Sequence, residues 1–401
     1  MRRWGAAAVA AGVVALGVSP SVAQADHDGG TDDPVSTVAT GLGGPRQIND
    51  YEDDDLVVAE SDTGEVSRVH LPSGEVETLL SGLPTPQGVA YSDGLLYVAL
   101  GEAAPDEGPP PEEGGEAPPP EGEMPPPEGE MPPPEGEMPP PEGSEPPPAG
   151  DEIQGSSLIV VEPGGEVVET YDLLAYELEN NPDEQPQFDV DGLPVDALSN
   201  PFAVQVQEDR ILVADAGANA LLAIDRDSGE ISTLFVPPVV TPEEVPECAG
   251  GSPDAEGCDP VPTGIEEKDG KLYLSTLGAE APGAARVYVL EQDGDEIRRI
   301  EGLTGITGLA LDDDDVYVSE LFHGAPEEEP GPDFDPTPVG RVVKIEGDGD
   351  REAAAVTLPT GLEFEDGELH ASAWSIAIFL GLEDRGEVVA VDDDAFAPIE
   401  E

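Results

Sequence analysis

One phrase of this sequence occurs six times, and it restricts the possible folds more than any other feature. Each copy has a turn-forming start, a short apolar stretch, an acidic turn and a second apolar stretch that ends in Ala or Ser. The first halves start at Pro45, Pro86, Pro201, Pro262, Ile306 and Pro359, and the second halves are residues 56–59, 96–99, 211–214, 272–275, 316–319 and 369–372. Short strands that recur about every 40 residues are typical of β-propeller blades. The phrase therefore predicts an all-β, six-bladed propeller.

The ends of the chain suggest how the ring is completed. A third strand follows the second in every repeat, and a fourth follows in all repeats except the last. The apolar stretch 35–40 precedes the first repeat and belongs to none of them. We expect this N-terminal strand to complete the sixth blade, because unpaired sheet edges promote aggregation. The propeller is thus predicted over residues 35–391, with 392–401 as a tail.

The first residues have the features of a secretory signal peptide. Arg2 and Arg3 precede an apolar stretch at 6–18, and Ala23-Gln24-Ala25 fits a cleavage site. We therefore expect residues 1–25 to be removed, residues 26–34 to form a flexible lead, and the mature protein to be secreted or otherwise extracytoplasmic. No later segment is long and apolar enough to predict a membrane span.

The second repeat contains an insertion of unusual composition. Residues 103–150 consist mostly of Pro, Glu and Gly, and Glu-Gly-Glu-Met-Pro-Pro-Pro occurs there three times. A segment without core-forming residues and with a single sign of charge is expected to be disordered and extended. Two interpretations stay open, namely a repeat expansion in a surface loop and a Pro-rich ligand for a partner.

Acidic residues dominate the charge. The chain has 89 Asp and Glu against 15 Lys and Arg, which gives a net charge of −74. This composition argues against nucleic acid and anionic membranes as partners, because both are bound through Lys and Arg. Since the acids occur in every repeat, we interpret them as an adaptation to high salt and expect a soluble monomer.

The two cysteines predict one local disulfide. Cys248 and Cys258 lie in a loop rich in Pro, Gly and Glu, and no His is nearby to suggest a metal site. In an oxidising compartment such a pair is expected to be bonded.

Two columns of residues are candidates for a ligand site, since the innermost strand of each blade lines the central channel. The first column follows the opening Pro or its equivalent and consists of Arg46, Gln87, Phe202, Thr263, Thr307 and Thr360. It predicts a ligand site at a mouth of the channel. Among the four histidines, His323 is the best functional candidate because it follows the acidic residue Glu320.

The second column follows the Ala or Ser that ends the second strand. It has acids in repeats one, three and five, namely Glu60, Asp215 and Glu320. If these carboxylates converge, they would hold a divalent cation such as Ca²⁺, with Asn200 as a further oxygen ligand. The alternative is that they are ordinary solvated acids in an acidic chain.

No catalytic motif occurs in the sequence: it has neither a Gly-x-Ser-x-Gly elbow nor a His-Glu-x-x-His pair. Several phrases instead carry a resemblance, among them Asn200-Pro201-Phe202-Ala203, Val261-Pro262-Thr263-Gly264, and the stretches 39–42, 213–222 and 282–288. With these, the chain resembles the secreted six-bladed propellers of the ScyD/ScyE family. The resemblance implies a binding or scaffold protein without agreed catalytic residues.

Three functions remain open at this point. The first is a propeller that binds a small molecule, a glycan or an envelope protein at a channel mouth, without established catalysis. The second is a metal-dependent lactonase or arylesterase that uses Glu60, Asp215, Glu320 and Asn200. The third is an interaction protein of the cell envelope.

Overall fold

A computed structural model describes residues 33–52, 55–102, 153–188, 192, 194–195, 197–250, 257–326, 331 and 334–399. The predicted signal peptide, most of the predicted lead and the predicted insertion lie outside the described residues. The described chain forms six antiparallel sheets, which are the blades of a β-propeller. No helix within these described ranges is long and apolar enough to cross a membrane.

The chain enters the fold with β1 (Val35–Leu42) and then builds three blades. The first blade consists of β2 (Pro45–Asp50), β3 (Leu56–Glu60), β4 (Glu65–His70) and β5 (Glu75–Leu80). The second consists of β6 (Pro86–Ser92), β7 (Leu95–Leu100), β8 (Ser157–Val161) and β9 (Val167–Asp172). After the helix α1 (Leu173–Asn180), the third consists of β10 (Pro201–Val206), β11 (Arg210–Asp215), β12 (Ala220–Asp225) and β13 (Ile231–Phe235).

Three further blades complete the ring. The fourth consists of β14 (Pro262–Lys268), β15 (Lys271–Thr276), β16 (Ala285–Leu290) and β17 (Glu296–Leu303). The fifth contains β18 (Ile306–Asp312), β19 (Asp315–Glu320), β20 (Arg341–Ile345) and β21 (Arg351–Ala354). The sixth contains β22 (Leu362–Glu365), β23 (Glu368–Ala373) and β24 (Gly386–Val391). Short 3-10 helices lie at Pro246–Cys248, Ala377–Leu380 and Asp393–Ala395.

Both ends of the described chain join sheets. β1 pairs antiparallel with β24 and is the fourth strand of the sixth blade. At the other end, β25 (Ala397–Pro398) pairs with β21 as a fifth strand of the fifth blade. Phe396 packs on Tyr317 of that blade, with ring centroids 5.8 Å apart. The sequence predicted residues 392–401 as a tail. In the structure, residues 392–399 pack against the fifth blade, where Phe396 gains apolar contact.

The hydrophobic core lies between neighbouring blades. The six innermost strands are β2, β6, β10, β14, β18 and β22, and each contacts the next around the ring, including β22 with β2. The fourth residue of each phrase is buried at such an interface: Ile48, Val89, Val204, Ile265, Leu309 and Leu362. Full burial of one such side chain stabilises the fold by about 1.5–3 kcal/mol. The repeated apolar residue of the phrase thus holds the ring together.

The two ends of the propeller differ in the length of their connections. The hairpins that join first to second strands, and third to fourth strands, all contain five residues or fewer. We call this end the hairpin face. At the opposite end, the loop face, longer connections join β7 to β8, β9 to β10, β13 to β14, β19 to β20 and β23 to β24. Since functional residues of rigid scaffolds concentrate in long loops, the loop face is where a site is expected.

Candidate functional site

Three threonines of the first column fasten neighbouring blades to each other. Thr263 Oγ1 donates to the carbonyl of Ile306 at 2.8 Å, Thr307 Oγ1 to that of Pro359 at 3.0 Å, and Thr360 Oγ1 to that of Pro45 at 2.9 Å. All three threonines are buried. Each hydroxyl therefore binds the first residue of the next phrase, so its contacts are structural. A role of the three threonines in ligand binding remains a prediction.

Serines next to the last residue of the second strand extend this connection. Ser319 Oγ donates to the carbonyl of Thr360 at 2.6 Å, and Ser372 Oγ donates to that of Arg46 at 2.7 Å. Within the chain, a phrase with Thr in the first column ends its second strand in Ser, and the other phrases end it in Ala. This correlation was visible in the sequence and indicates a hydroxyl network between blades four, five, six and one.

Close backbone contact explains the glycines of these phrases. A Cβ atom on Gly308 would overlap the carbonyl of Thr360, and one on Gly361 would overlap that of Arg46. The innermost strands therefore approach each other more closely than any side chain permits at these positions.

The remaining members of the first column have different surroundings. Arg46 is buried, donates through Nη1 to the carbonyl of Ser375, and has Nη2 3.8 Å from Asp62 Oδ1. Gln87 accepts a hydrogen bond from Ser61 Oγ at 3.3 Å. Phe202 is half-buried. The column does not form one uniform ligand-binding surface.

Gln47, which the sequence analysis did not single out, joins three blades. Its Oε1 accepts from the amides of Val89 and Val204, both at 3.0 Å, and its Nε2 donates to the Val204 carbonyl at 3.1 Å. The side chain thus mimics a backbone amide between the innermost strands of blades one, two and three.

The three acids of the second column bind groups in the segments that lead into their own blades. Glu60 Oε2 accepts from the amide of Gly43 at 2.6 Å. Glu320 accepts from the Thr304 amide at 2.8 Å and from Arg341 Nε at 2.7 Å. Each carboxylate therefore anchors the segment that leads into the first strand of its own blade. Burial raises the pKa of Glu60.

Asp215 accepts four hydrogen bonds, more than Glu60 or Glu320. Its Oδ1 accepts from the amides of Asn200, Gly217 and Ala218, and its Oδ2 accepts from Ser199 Oγ. The side chain is fully buried, and burial raises its pKa although these hydrogen bonds oppose the rise. Asp215 therefore shapes the loop around Asn200. His323, by contrast, is exposed on the loop face just after β19.

Three carboxylates on the innermost strands interact electrostatically, and none of them belongs to the predicted acidic column. Glu266 of β14, Glu363 of β22 and Asp50 of β2 lie on the innermost strands of three different blades. Burial and the charge of Asp50 raise the pKa of Glu266 to about 8. The pKa of Glu363 is raised by burial and then by Glu266 and Asp50. These groups lie one strand inward of the predicted acidic column.

A separate acidic cluster lies on the hairpin face. Glu346, Asp348 and Asp350 occupy the turn between β20 and β21, and their ligand atoms lie within 4.8 Å of one another. Among the described residues it is the one group of at least three Asp, Glu, His or Cys side chains with this spacing. Glu60, Asp215 and Glu320 do not form such a group. The cluster offers oxygen ligands to a surface cation, but it is largely solvent-exposed.

The predicted disulfide is confirmed. Cys248 and Cys258 are bonded, with Cα atoms 5.0 Å apart, and both are fully buried. They pack with Val240, Val245 and Ala284 in a small cluster of the loop face. The bond therefore fixes the connection between blades three and four.

The helix α1 carries an unexpected buried acid. Asp172 caps its N-terminus by accepting from the Ala175 amide at 2.8 Å, and Leu173 is buried in the core between blades two and three. Glu177 lies one turn further along the same face and is only 3% exposed. Helical residues four apart share a face, so burial of Leu173 also directs Glu177 inward. Sequence reasoning did not single out Glu177, because its burial depends on how α1 packs against blades two and three.

Glu177 lines a cavity of about 190 Å³ on the loop face. Its wall includes three carboxylate side chains, those of Glu177, Asp183 and Asp259. It also includes five carboxamide side chains: Asn181, Gln185, Gln187, Asn200 and Asn219. None of the described residues in this wall is Lys, Arg or His. Of the predicted site residues, Asn200 is the one that lines this cavity.

Hydrogen bonds between loops hold the wall in place. Asn219 Nδ2 donates to Asp183 Oδ2 at 3.0 Å, and Asn219 Oδ1 accepts from the Val261 amide at 3.1 Å. Gln185 Nε2 donates to Asp259 Oδ1 at 2.9 Å. Val261 has a φ of 55°, which is rare for a β-branched residue and is held by these contacts. The cavity is therefore built from α1 and the connection that follows it, the turn 216–219 and the segment 259–261, which are distant in sequence.

Two oxygens of this region lack partners. Glu177 Oε1 accepts from Gln187 Nε2 at 3.1 Å, but Glu177 Oε2 and Asn181 Oδ1 are buried without a hydrogen-bond partner in the described structure. Burial raises the pKa of Glu177 to about 7, and the charges of Asp183 and Asp215 contribute in the same direction. Buried acceptors without donors are costly, so this arrangement favours a ligand that supplies a proton or a positive charge.

The chain is similar to known proteins only at the level of solved structures, with 10–12% sequence identity in the three described below. No protein-family model and no curated protein matches the sequence. Among solved structures, a streptogramin B lyase is similar at 10% identity over 88% of this chain and 96% of that chain, with a TM-score of 0.46. A nidogen/laminin complex is similar at 12% identity over 84% and 98%, with a TM-score of 0.44. The PQQ-bound aldose sugar dehydrogenase of Streptomyces coelicolor is similar at 12% identity over 89% and 97%, with a TM-score of 0.45.

Proposed function

We propose that this protein is an extracytoplasmic ligand-binding propeller whose site is the cavity beneath α1 on the loop face. The observation that carries the proposal is a cavity of about 190 Å³ with a buried carboxylate oxygen that has no partner in its wall. Cavities of about 150 Å³ accommodate a small organic molecule, so this volume suits a compact ligand. The lining of acid and amide side chains favours a polar ligand over an apolar one.

The rigid surroundings support binding as the role of this cavity. Loops held by side-chain hydrogen bonds, a buried disulfide and an anchored helix need little ordering when a ligand enters. Preorganisation of this kind favours affinity because less conformational entropy is lost on binding.

The hydrolase alternative has weaker support. The metal ion would have to be held by Glu60, Asp215 and Glu320. These carboxylates are buried and already accept hydrogen bonds from Gly43, Asn200 and Arg341. A metal site assembled from them would need these hydrogen bonds to break. We therefore favour binding without catalysis, which is also what the resemblance to the ScyD/ScyE family implies.

The proposed setting follows from the sequence. The predicted signal peptide and the disulfide between Cys248 and Cys258 both fit an oxidising, extracytoplasmic compartment. The charge of −74 fits a saline environment. A ligand of the cavity would then be a small molecule or the end of a glycan, or a group on an envelope protein.

A ligand screen tests the proposal. Wild type and Ala216→Met are compared by thermal shift with sugars, polyols, amines, lactones and esters, because Ala216 lines the cavity and Met there adds bulk. Thr170→Met on the exposed outer strand of the second blade is the control. We expect at least one compound to stabilise wild type and the control but not Ala216→Met. Lactone or ester turnover that is lost in Asp215→Ala would instead favour the hydrolase.

A further inference from the structure

The wall of the cavity accepts hydrogen bonds and offers no full positive charge. Its carboxylates and amide oxygens come from Glu177, Asp183, Asp259, Asn181 and Asn219, and no basic side chain of the described residues lines it. An anionic ligand would meet repulsion from these carboxylates inside a partly desolvated space. A cationic ligand would find counter-charges already in position.

A bare metal ion fits the geometry less well than an organic cation. The carboxylates of Glu177, Asp183 and Asp259 do not form a group whose ligand atoms lie within 4.8 Å of one another. A small metal ion needs its ligands at about 2–2.6 Å and would leave most of the cavity unfilled. A volume of about 190 Å³ suits a molecule with several non-hydrogen atoms.

Glu177 is the residue that most needs a cationic partner. It is only 3% exposed, its Oε2 has no hydrogen-bond donor in the described structure, and it borders the cavity. Asn181, one turn away at the end of the same helix, has a second such oxygen. An ammonium group carries three N–H donors and would supply the donor that such an oxygen lacks.

We propose that the cavity binds a small polar molecule that carries an ammonium group, with Glu177 as the counter-ion of that group. The inference rests on the proposed function and specifies its ligand class. The amides of Gln187 and Asn219 also line the cavity, where they hydrogen-bond to Glu177 and Asp183. Hydroxyl groups on the ligand would suit these amides.

The charge state of Glu177 gives the binding a pH dependence. Asp183 and Asp215 are the charged groups that act on Glu177, and Gln187 donates to it. With a pKa of about 7, Glu177 is mostly protonated at pH 6 and mostly ionised at pH 8. Because an ammonium group requires the ionised form, its affinity should increase about tenfold from pH 6 to pH 8.

Three probes with the same six-carbon chain measure how much the ammonium group contributes to affinity. Glucamine carries an ammonium group, sorbitol has a hydroxyl at that position, and gluconate ends in a carboxylate. Calorimetric titration at high salt suppresses binding to the general acidic surface. We expect glucamine to bind saturably, sorbitol about 10–100-fold more weakly and gluconate not at all, as an ionic hydrogen bond of about 1.5–3 kcal/mol predicts.

Two substitutions in α1 test whether Glu177 is the residue that binds the ammonium group. Glu177→Gln keeps the shape of the side chain and removes its charge, and Glu179→Gln makes the same change at an exposed position two residues away. Glu177→Gln should bind glucamine no better than sorbitol and lose the pH dependence, while Glu179→Gln should match wild type.

The outcomes separate the inference from the proposed function. Sorbitol binding as tightly as glucamine in wild type, or undiminished glucamine binding in Glu177→Gln, would overturn the ammonium site but leave a ligand-binding cavity. Absence of saturable glucamine binding overturns the inference as well. The proposed function fails only if no compound of the wider screen gives a thermal shift that Ala216→Met abolishes.

Discussion

Glu177 should make the protein less stable at neutral and alkaline pH, and Glu177→Gln should remove this effect. The carboxyl has a pKa of about 7 in the folded protein against an ordinary value of 4.5. Below about pH 4.5 the group is protonated in both folded and unfolded states and contributes nothing. Between pH 4.5 and 7 the unfolded chain releases the proton while the folded protein retains it, so stability decreases as pH rises.

The size of this effect follows from the two pKa values. Each pKa unit corresponds to about 1.4 kcal/mol, so the penalty above pH 7 approaches about 3 kcal/mol. The side chain is only 3% exposed, so solvent screening reduces the figure little. Gln at this position keeps an acceptor for Gln187 Nε2 and replaces the unpartnered carboxylate oxygen with an uncharged amide group. For a domain of this size, about 3 kcal/mol corresponds to a difference of roughly 4 °C in Tm.

The assay is the Tm of wild type, Glu177→Gln and Glu179→Gln in unliganded form, measured in steps from pH 4 to pH 8.5. Differences between variants cancel the titration of the many other acids. Glu177→Gln should match wild type near pH 4 and exceed it by several degrees at pH 8, while Glu179→Gln should stay parallel to wild type. A Glu177→Gln variant that is no more stable than wild type at pH 8 would refute the reasoning that this carboxylate is buried without sufficient partners.

Three other predictions concern the fold and the loop face. Thr307→Val should lower the free energy of unfolding by about 1–3 kcal/mol, because it leaves the buried Pro359 carbonyl without its donor. Thr307→Ser retains that hydroxyl and should lose less; equal losses in urea unfolding would argue against the inter-blade hydrogen bond. Replacing Cys248 and Cys258 with Ser removes a cross-link over a separation of 10 residues, worth about 3 kcal/mol of chain entropy. It should weaken ligand binding because Asp259 and Val261 line the cavity, while the far-ultraviolet circular dichroism of the blades stays unchanged. Finally, the net charge of −74 predicts a higher Tm in molar than in millimolar salt, and an unchanged Tm would remove the interpretation as adaptation to high salt.

The repeated phrase carried nearly all of the information about strands. Its apolar residues, such as Ile48 and Val89, became the buried contacts between blades, and its Pro and Gly marked the start of each innermost strand. The pairing of Thr with Ser in three phrases also encoded the hydroxyl network, although it was recognised only with the structure. Such features can be predicted because they are local and recur in each unit.

Sequence spacing could not predict the surroundings of the acidic column. A column of Glu60, Asp215 and Glu320 can be drawn from sequence spacing, but spacing does not tell which backbone amides lie beside each carboxylate. The channel acids Glu266 and Glu363 belong to phrases that look ordinary. Their interaction depends on which side of the innermost strand faces the axis, which repeat alignment alone does not specify.

By itself, the sequence determined the class of fold, the number of blades and the disulfide, because these depend on periodicity and on two cysteines close in the chain. Only the tertiary structure decided where the cavity lies. Its wall joins a helix after the second blade, a turn in the third blade and the connection to the fourth, and no local pattern links them. Glu177 became a candidate ligand-binding residue because burial of Leu173 directs it inward among those loops, and that burial is a property of the assembled ring.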